Sequence, residues 1–119
     1  MYTVRADKTK NRMYLVIEGF LNVEEAQEAG AAAKVVIDQL QPGFDLISDM
    51  RTFKPGSPQV AAIMAESQIY GIQHGINRTV RIVDKDTLGA MQWARISRET
   101  GAVVLGASSV EEAEKLLDE

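Results

Sequence analysis

Residues 48–64 read SDMRTFKPGSPQVAAIM, and this stretch gathers the side chains best suited to chemistry. An apolar strand ends in Asp49, a basic turn carries Arg51 and Lys54, and a Pro-Gly-Ser-Pro corner puts Ser57 at the head of a helix that includes Met64. A serine before Pro58 is a good N-cap, because proline suits the first helical position, where its missing N–H would be unpaired anyway. A serine at the carboxyl end of a central strand is also exposed and modifiable. Phosphate there would meet helix N–H groups and the charges of Arg51 and Lys54. The residue types therefore allow a helix cap or a phosphoacceptor. Asp49, Arg51, Lys54, Ser57 and Met64 form the candidate binding surface.

A second acidic stretch, RIVDKDTLGA (81–90), invites comparison with enzymes. An apolar strand followed by D-x-D-T-L resembles the first motif of haloacid-dehalogenase-like phosphatases, where two aspartates hold magnesium and one attacks phosphate. Their loop normally places another residue between the second Asp and the Thr-Leu pair, and further acids come from a larger core. Asp84 as a strand end and Asp86 as a helix cap explain the same letters. Asp49 and Asp84 can converge at one rim of a parallel sheet, where α/β ligands bind, and with Lys85 the set loosely resembles receiver domains. A receiver's acidic pair follows its first strand, which here ends in EGFLN.

His74 is the only histidine and cannot build a histidine metal cluster. It falls in the last turn of its helix, where an imidazole suits the dipole and the free carbonyls. The chain contains no G-x-S-x-G elbow, no G-x-G-x-x-G and no G-x-x-x-x-G-K-[ST]. It reads as non-enzymatic and calls for no cofactor and no metal.

The bulk composition sets the frame for these residues. A chain of 119 residues with 45% apolar and 25% charged side chains suits one domain, 1–119, with a proper core. The net charge of −4 argues against a nucleic-acid footprint, which needs a clustered basic surplus. With no cysteine, disulfides and thiolate chemistry are excluded. The N-terminus lacks the apolar core of a signal peptide, and no apolar run approaches the roughly 20 residues of a membrane span. A cytoplasmic location is the expectation.

Patterning places the elements. Residues 2–7 alternate as an edge strand, and 12–21 are apolar on both faces, as an inner strand requires. Asn22, with Glu25 three residues on, starts a helix whose inner face is Ala26, Ala29, Gly30, Ala33, Ile37 and Leu40. FDLIS (44–48) is a central strand, and a helix from Pro58 to His74 ends at Gly75 in a left-handed position. In 78–84, Val80 and Ile82 alternate against Thr79, Arg81 and Val83. A helix over 87–100, a buried strand over 102–106 and a Ser109-capped helix complete the order β-β-α-β-α-β-α-β-α. That order predicts a single α/β domain with a mixed, mostly parallel sheet of about five strands and an initial antiparallel hairpin. The helix over 58–74 has a wide apolar belt, which fits a groove between neighbours or a partner surface. Trp93, Arg95 and Arg98 are further candidate interface anchors.

A hairpin, an acidic-capped helix, FDLISDMRTF, a helix opening at a serine corner and two further β-α units together resemble the STAS/SpoIIAA-like family. These small bacterial domains are related to anti-sigma-factor antagonists and share a fold with the lipid-binding CRAL-TRIO domain. The resemblance covers nearly the whole chain. It implies a regulatory, protein-binding module switched by phosphorylation of a serine in a D-S-[ST]-G-like loop, which here corresponds to KPGSPQV with Asp49 and Ser57. No D-S-[ST]-G string is present, a departure that weighs against the switch itself. Two functions follow as expectations. The first is an interaction module that meets a protein, possibly anti-sigma-factor-like in kind, or a second copy as a homodimer. The second is a carrier with a small apolar ligand, a lipid or a nucleotide, between the sheet and helix 58–74.

Overall fold

A computed structural model describes residues 1–84 and 87–119. The chain runs β1 (Tyr2–Asp7), β2 (Arg12–Ile17), α1 (Val23–Asp38), β3 (Asp45–Asp49), α2 (Pro58–Gln73), β4 (Thr79–Ile82), α3 (Leu88–Thr100), β5 (Val104–Ala107) and α4 (Val110–Asp118). The strands form one sheet in the order β1-β2-β3-β4-β5. β1 and β2 make an antiparallel hairpin, and every later neighbour pair is parallel. This is the α/β architecture expected from the sequence.

The strand order advances in one direction from β2 to β5. Right-handed crossovers must then place all the connecting helices on the same face. Met13, Ile17, Met50 and Phe53 accordingly pack with residues of α1, α2 and α3. α4, which follows the last strand, closes part of the other face, where Ala113 and Leu117 meet Ile47, Val80 and Ile82. The wide apolar belt of α2 is explained by its place between α1 and α3. Val60, Met64 and Gly71 are buried there, and Ile69 and Ile72 stay exposed.

Local signals act as their chemistry dictates. Asn22 Oδ1 accepts from the Glu25 N–H at 2.8 Å, and Ser109 Oγ accepts from the Glu112 N–H at 3.1 Å. The Glu112 carboxylate turns to Ser108 instead of reaching back to the cap. Gly75 and Gly101 take left-handed backbone with φ of 87° and 80° at the ends of α2 and α3.

Four expectations are corrected. β2 stops at Ile17, because Gly19, with φ of 68°, turns the chain away from the ladder. The cap of α3 falls at Thr87, whose Oγ1 accepts from the Ala90 N–H at 3.0 Å, while Lys85 and Asp86 lie outside the described residues. β5 is an edge strand and not a buried one, with Val103 75% exposed just before it and Leu105 half-exposed within it. Trp93 points into the core with Ile96 and Ser97, whereas Arg95 and Arg98 fall on the outer side of α3, so these three do not form one surface.

Candidate functional site

The serine corner sits where three segments meet. β3 ends at Asp49, and the next residue, Met50, donates its N–H to the Ile82 carbonyl at 2.8 Å, anchoring the chain as it leaves the sheet. Phe53 then plugs into the core against Trp93, with ring centroids 6.1 Å apart. From one side Gly19 pairs with this turn: its N–H donates to Thr52 O at 3.0 Å, and the Lys54 N–H donates to Gly19 O at 2.9 Å. From the other side Gln92 of α3 clamps Gly56. The Gly56 N–H donates to Gln92 Oε1 at 2.9 Å, and Gln92 Nε2 donates to Gly56 O at 3.0 Å. The corner is held on both flanks.

Its charged groups are arranged as follows. Arg51 donates from Nε and Nη2 to the two Asp49 carboxylate oxygens at 3.0 and 2.7 Å, and its backbone N–H adds a third bond. These bonds hold the Asp49 carboxyl below its usual range and raise the Arg51 guanidinium, which Asp84 also favours. A bidentate arginine therefore occupies the acid that a magnesium site would need. Among the described residues, no group of three or more acidic or histidine side chains could hold a metal ion. Lys54 is exposed and makes no ion pair among the described residues. Ser57 Oγ accepts from the Val60 N–H at 3.2 Å, the bond that caps α2.

Two sequence candidates lie elsewhere. Met64 is 5% exposed within the core, so it is separated from the surface that Asp49, Arg51, Lys54 and Ser57 share. His74 caps the other end of α2, with Nδ1 2.8 Å from the Tyr70 carbonyl and its ring stacked on Tyr70. A helix of 16 residues puts it about 24 Å from Ser57, too far for a nucleophile and base.

Around the corner lie apolar residues that pattern reading passed over. Phe20, next to Gly19, is 59% exposed, and Leu88 and Met91, one turn apart on α3, are 69% and 53% exposed. Their flanking residues Gly19, Gly89 and Gln92 all touch the corner itself. Single exposed apolar residues carry no signal in a sequence, and only the fold sets these three along the two flanks of the corner.

A second feature lies beneath α2. A cavity of about 190 Å³ separates it from the sheet, lined by Leu15, Phe44, Met50 and Met64 among others, and also by Ser48, Arg81 and Trp93. Arg81 belongs to β4, which lies inside the sheet and is buried at all four positions. The guanidinium carbon lies 4.9 Å from the Trp93 ring centroid. Nη1 donates to Ser97 Oγ at 2.9 Å and reaches the Trp93 carbonyl at 3.5 Å. Burial pushes this arginine down to about 10.

A one-directional five-stranded mixed sheet with three helices on one face and one on the other defines a SpoIIAA-like α/β domain. Solved structures share it over the whole chain. An uncharacterized protein of the DUF3478 family with a SpoIIAA-like fold, from Shewanella loihica PV-4, superposes with a TM-score of 0.70 at 14% identity, covering 98% of this chain and 92% of that one. The anti-sigma factor antagonist SpoIIAA in its unphosphorylated form gives 0.68 at 13% identity, covering 99% and 98%. No protein-family model and no curated protein matches the sequence. Among the described residues, no helix is long and apolar enough to cross a membrane.

Proposed function

We propose that this chain is a non-enzymatic regulatory module that binds a protein partner, or a second copy of itself, through the rim around residues 49–57. The observation that carries this reading is that Phe20 on one flank of the corner and Leu88 and Met91 on the other are exposed next to the residues that hold it, Gly19, Gly89 and Gln92. A firm backbone bearing apolar anchors with Lys54 beside them suits a small interface, because little ordering entropy is lost on association. Lys54, exposed and without an ion pair among the described residues, favours a partner with an acidic rim. The likeness to an anti-sigma factor antagonist supports a protein-binding role for a fold of this kind. In this reading Ser57 serves as the helix cap that shapes the rim, and recognition requires no phosphate.

Affinity capture from native lysate with mass spectrometry, together with light scattering of the purified chain, tests the proposal. A reproducible partner or a stable dimer supports it. A lone monomer that retrieves nothing reproducible contradicts it.

A further inference from the structure

Buried donors without acceptors sit on three of the residues that line the cavity beneath α2. Arg81 is 6% exposed, yet its Nε has no hydrogen-bond partner among the described residues. Ser48 Oγ and Trp93 Nε1, on residues that line the same cavity, are likewise buried and unpaired. No carboxylate pairs with Arg81 among the described residues, and its contacts are the Ser97 hydroxyl, the Trp93 carbonyl and the Trp93 ring. Burying a guanidinium without a counter-charge is costly, and every unmade bond adds to the cost. Ser97 is in turn held by Gln68, which accepts from Thr100 Oγ1 at 2.8 Å, so the arginine is fixed in place by α2 and α3.

Much of the remaining wall is apolar, with Leu15, Ile37, Phe44, Met64 and Ile76, and Ser67, Gln68, Asn77 and Thr79 complete it. A dry apolar cavity of about 150 Å³ is large enough for a benzene ring, so about 190 Å³ holds a ring or a short alkyl chain. Ile72, Asn77 and Val103 also line the cavity and are exposed, which places its mouth between the ends of α2 and α3.

We infer that this cavity is a binding site for a small monocarboxylate with an apolar tail, its carboxylate on Arg81 and its tail among the methionines, leucine and phenylalanine beneath α2. The carboxylate supplies the missing counter-charge and accepts from Arg81 Nε, Trp93 Nε1 or the Ser48 hydroxyl. The tail fills space that water occupies poorly. The site is independent of the rim reading, because it lies inside the domain and needs no protein partner.

Trp93 is the only tryptophan and reports on the cavity directly. Its emission is followed in the full-length chain during titration with octanoate, with octan-1-ol as an uncharged probe of similar length, and with inorganic phosphate. Expected is a saturable change with octanoate, about tenfold or more tighter than with octan-1-ol, as a charge-assisted bond to a buried donor gives. Arg81→Met is expected to abolish that preference and leave octan-1-ol binding at least as tight. If that variant does not fold, the wild-type comparison still decides, and Arg81→Lys is expected to retain a weaker preference. Equal binding of the two probes overturns the inference, as does phosphate acting as well as octanoate or the absence of any change with octanoate below its micelle concentration.

Discussion

Gly89 faces the backbone of Phe53 so closely that a β-carbon on it would lie 2.3 Å from the Phe53 carbonyl oxygen. The first turn of α3 can rest on the serine corner only because this residue has no side chain. Backbone on one side and backbone on the other leave nothing flexible to yield. Gly89→Ala is therefore expected to destabilise the domain by about 1–3 kcal/mol through overpacking. Urea unfolding measures this, with Gly106→Ala as the control, since nothing lies within 4 Å of a β-carbon at Gly106. Equal losses in the two variants would contradict the close approach.

The Ser57 hydroxyl has a single assigned task, accepting from Val60 at the start of α2. Ser57→Ala is expected to cost about 1 kcal/mol, whereas Ser57→Asp keeps an acceptor at the cap and stays near wild type. Denaturant midpoints of the two variants separate these outcomes. An alanine variant as stable as wild type would mean that the serine is not needed for the cap.

Gln92 makes two bonds to Gly56 and so ties α3 to the corner. Gln92→Ala is expected to cost about 1–3 kcal/mol and to speed amide exchange at Gly56. Unchanged exchange there would show that the corner holds its shape without α3.

Arg12 joins the sheet to α4. It donates to Glu114 at 3.1 Å and to Asp118 at 3.0 Å, and Tyr14 and Lys10 also bond Glu114. Burial alone would raise the Glu114 carboxyl, but bonds from Tyr14, Lys10 and Arg12 outweigh it and hold it below its usual 4.5. The bond from Arg12 likewise holds Asp118 below 3.8. Both groups bind protons more readily in the unfolded chain, so their stabilisation is complete above these usual values and is lost as pH falls through the lower folded ones. Unfolding free energies measured from pH 7 down to acid are expected to fall in that range. The slope is expected to be shallower in Arg12→Met, and identical slopes would rule out this cluster as the source.

What the chain discloses before folding follows from the range of each interaction. The caps at Asn22, Ser57 and Ser109 act within three residues and were legible. So were the alternation of strands with helices and the left-handed glycine at 75. The exposed state of β5 was not, because AVVLG has the apolar content of an inner strand and only the strand order makes it an edge. The burial of Arg81 was not legible for a related reason: alternation in 78–84 does not tell whether the second face is wet, and in β4 neither face is. Met64 shows the converse limit, since an apolar residue on a helix has the same pattern whether it faces the core or a partner.

The rim reading is tested most directly by comparing capture with wild-type chain, the double variant Lys54→Glu/Leu88→Glu and the control Val103→Glu, each first shown to be folded. Both rim residues are exposed, so their replacement leaves the core intact, and Val103, just before β5, lies toward the sheet end opposite Asp49. Expected is a bound partner, or a dimer, that survives Val103→Glu and is lost by about tenfold or more in the rim variant. Equal retention by all three proteins would contradict the rim as the binding surface.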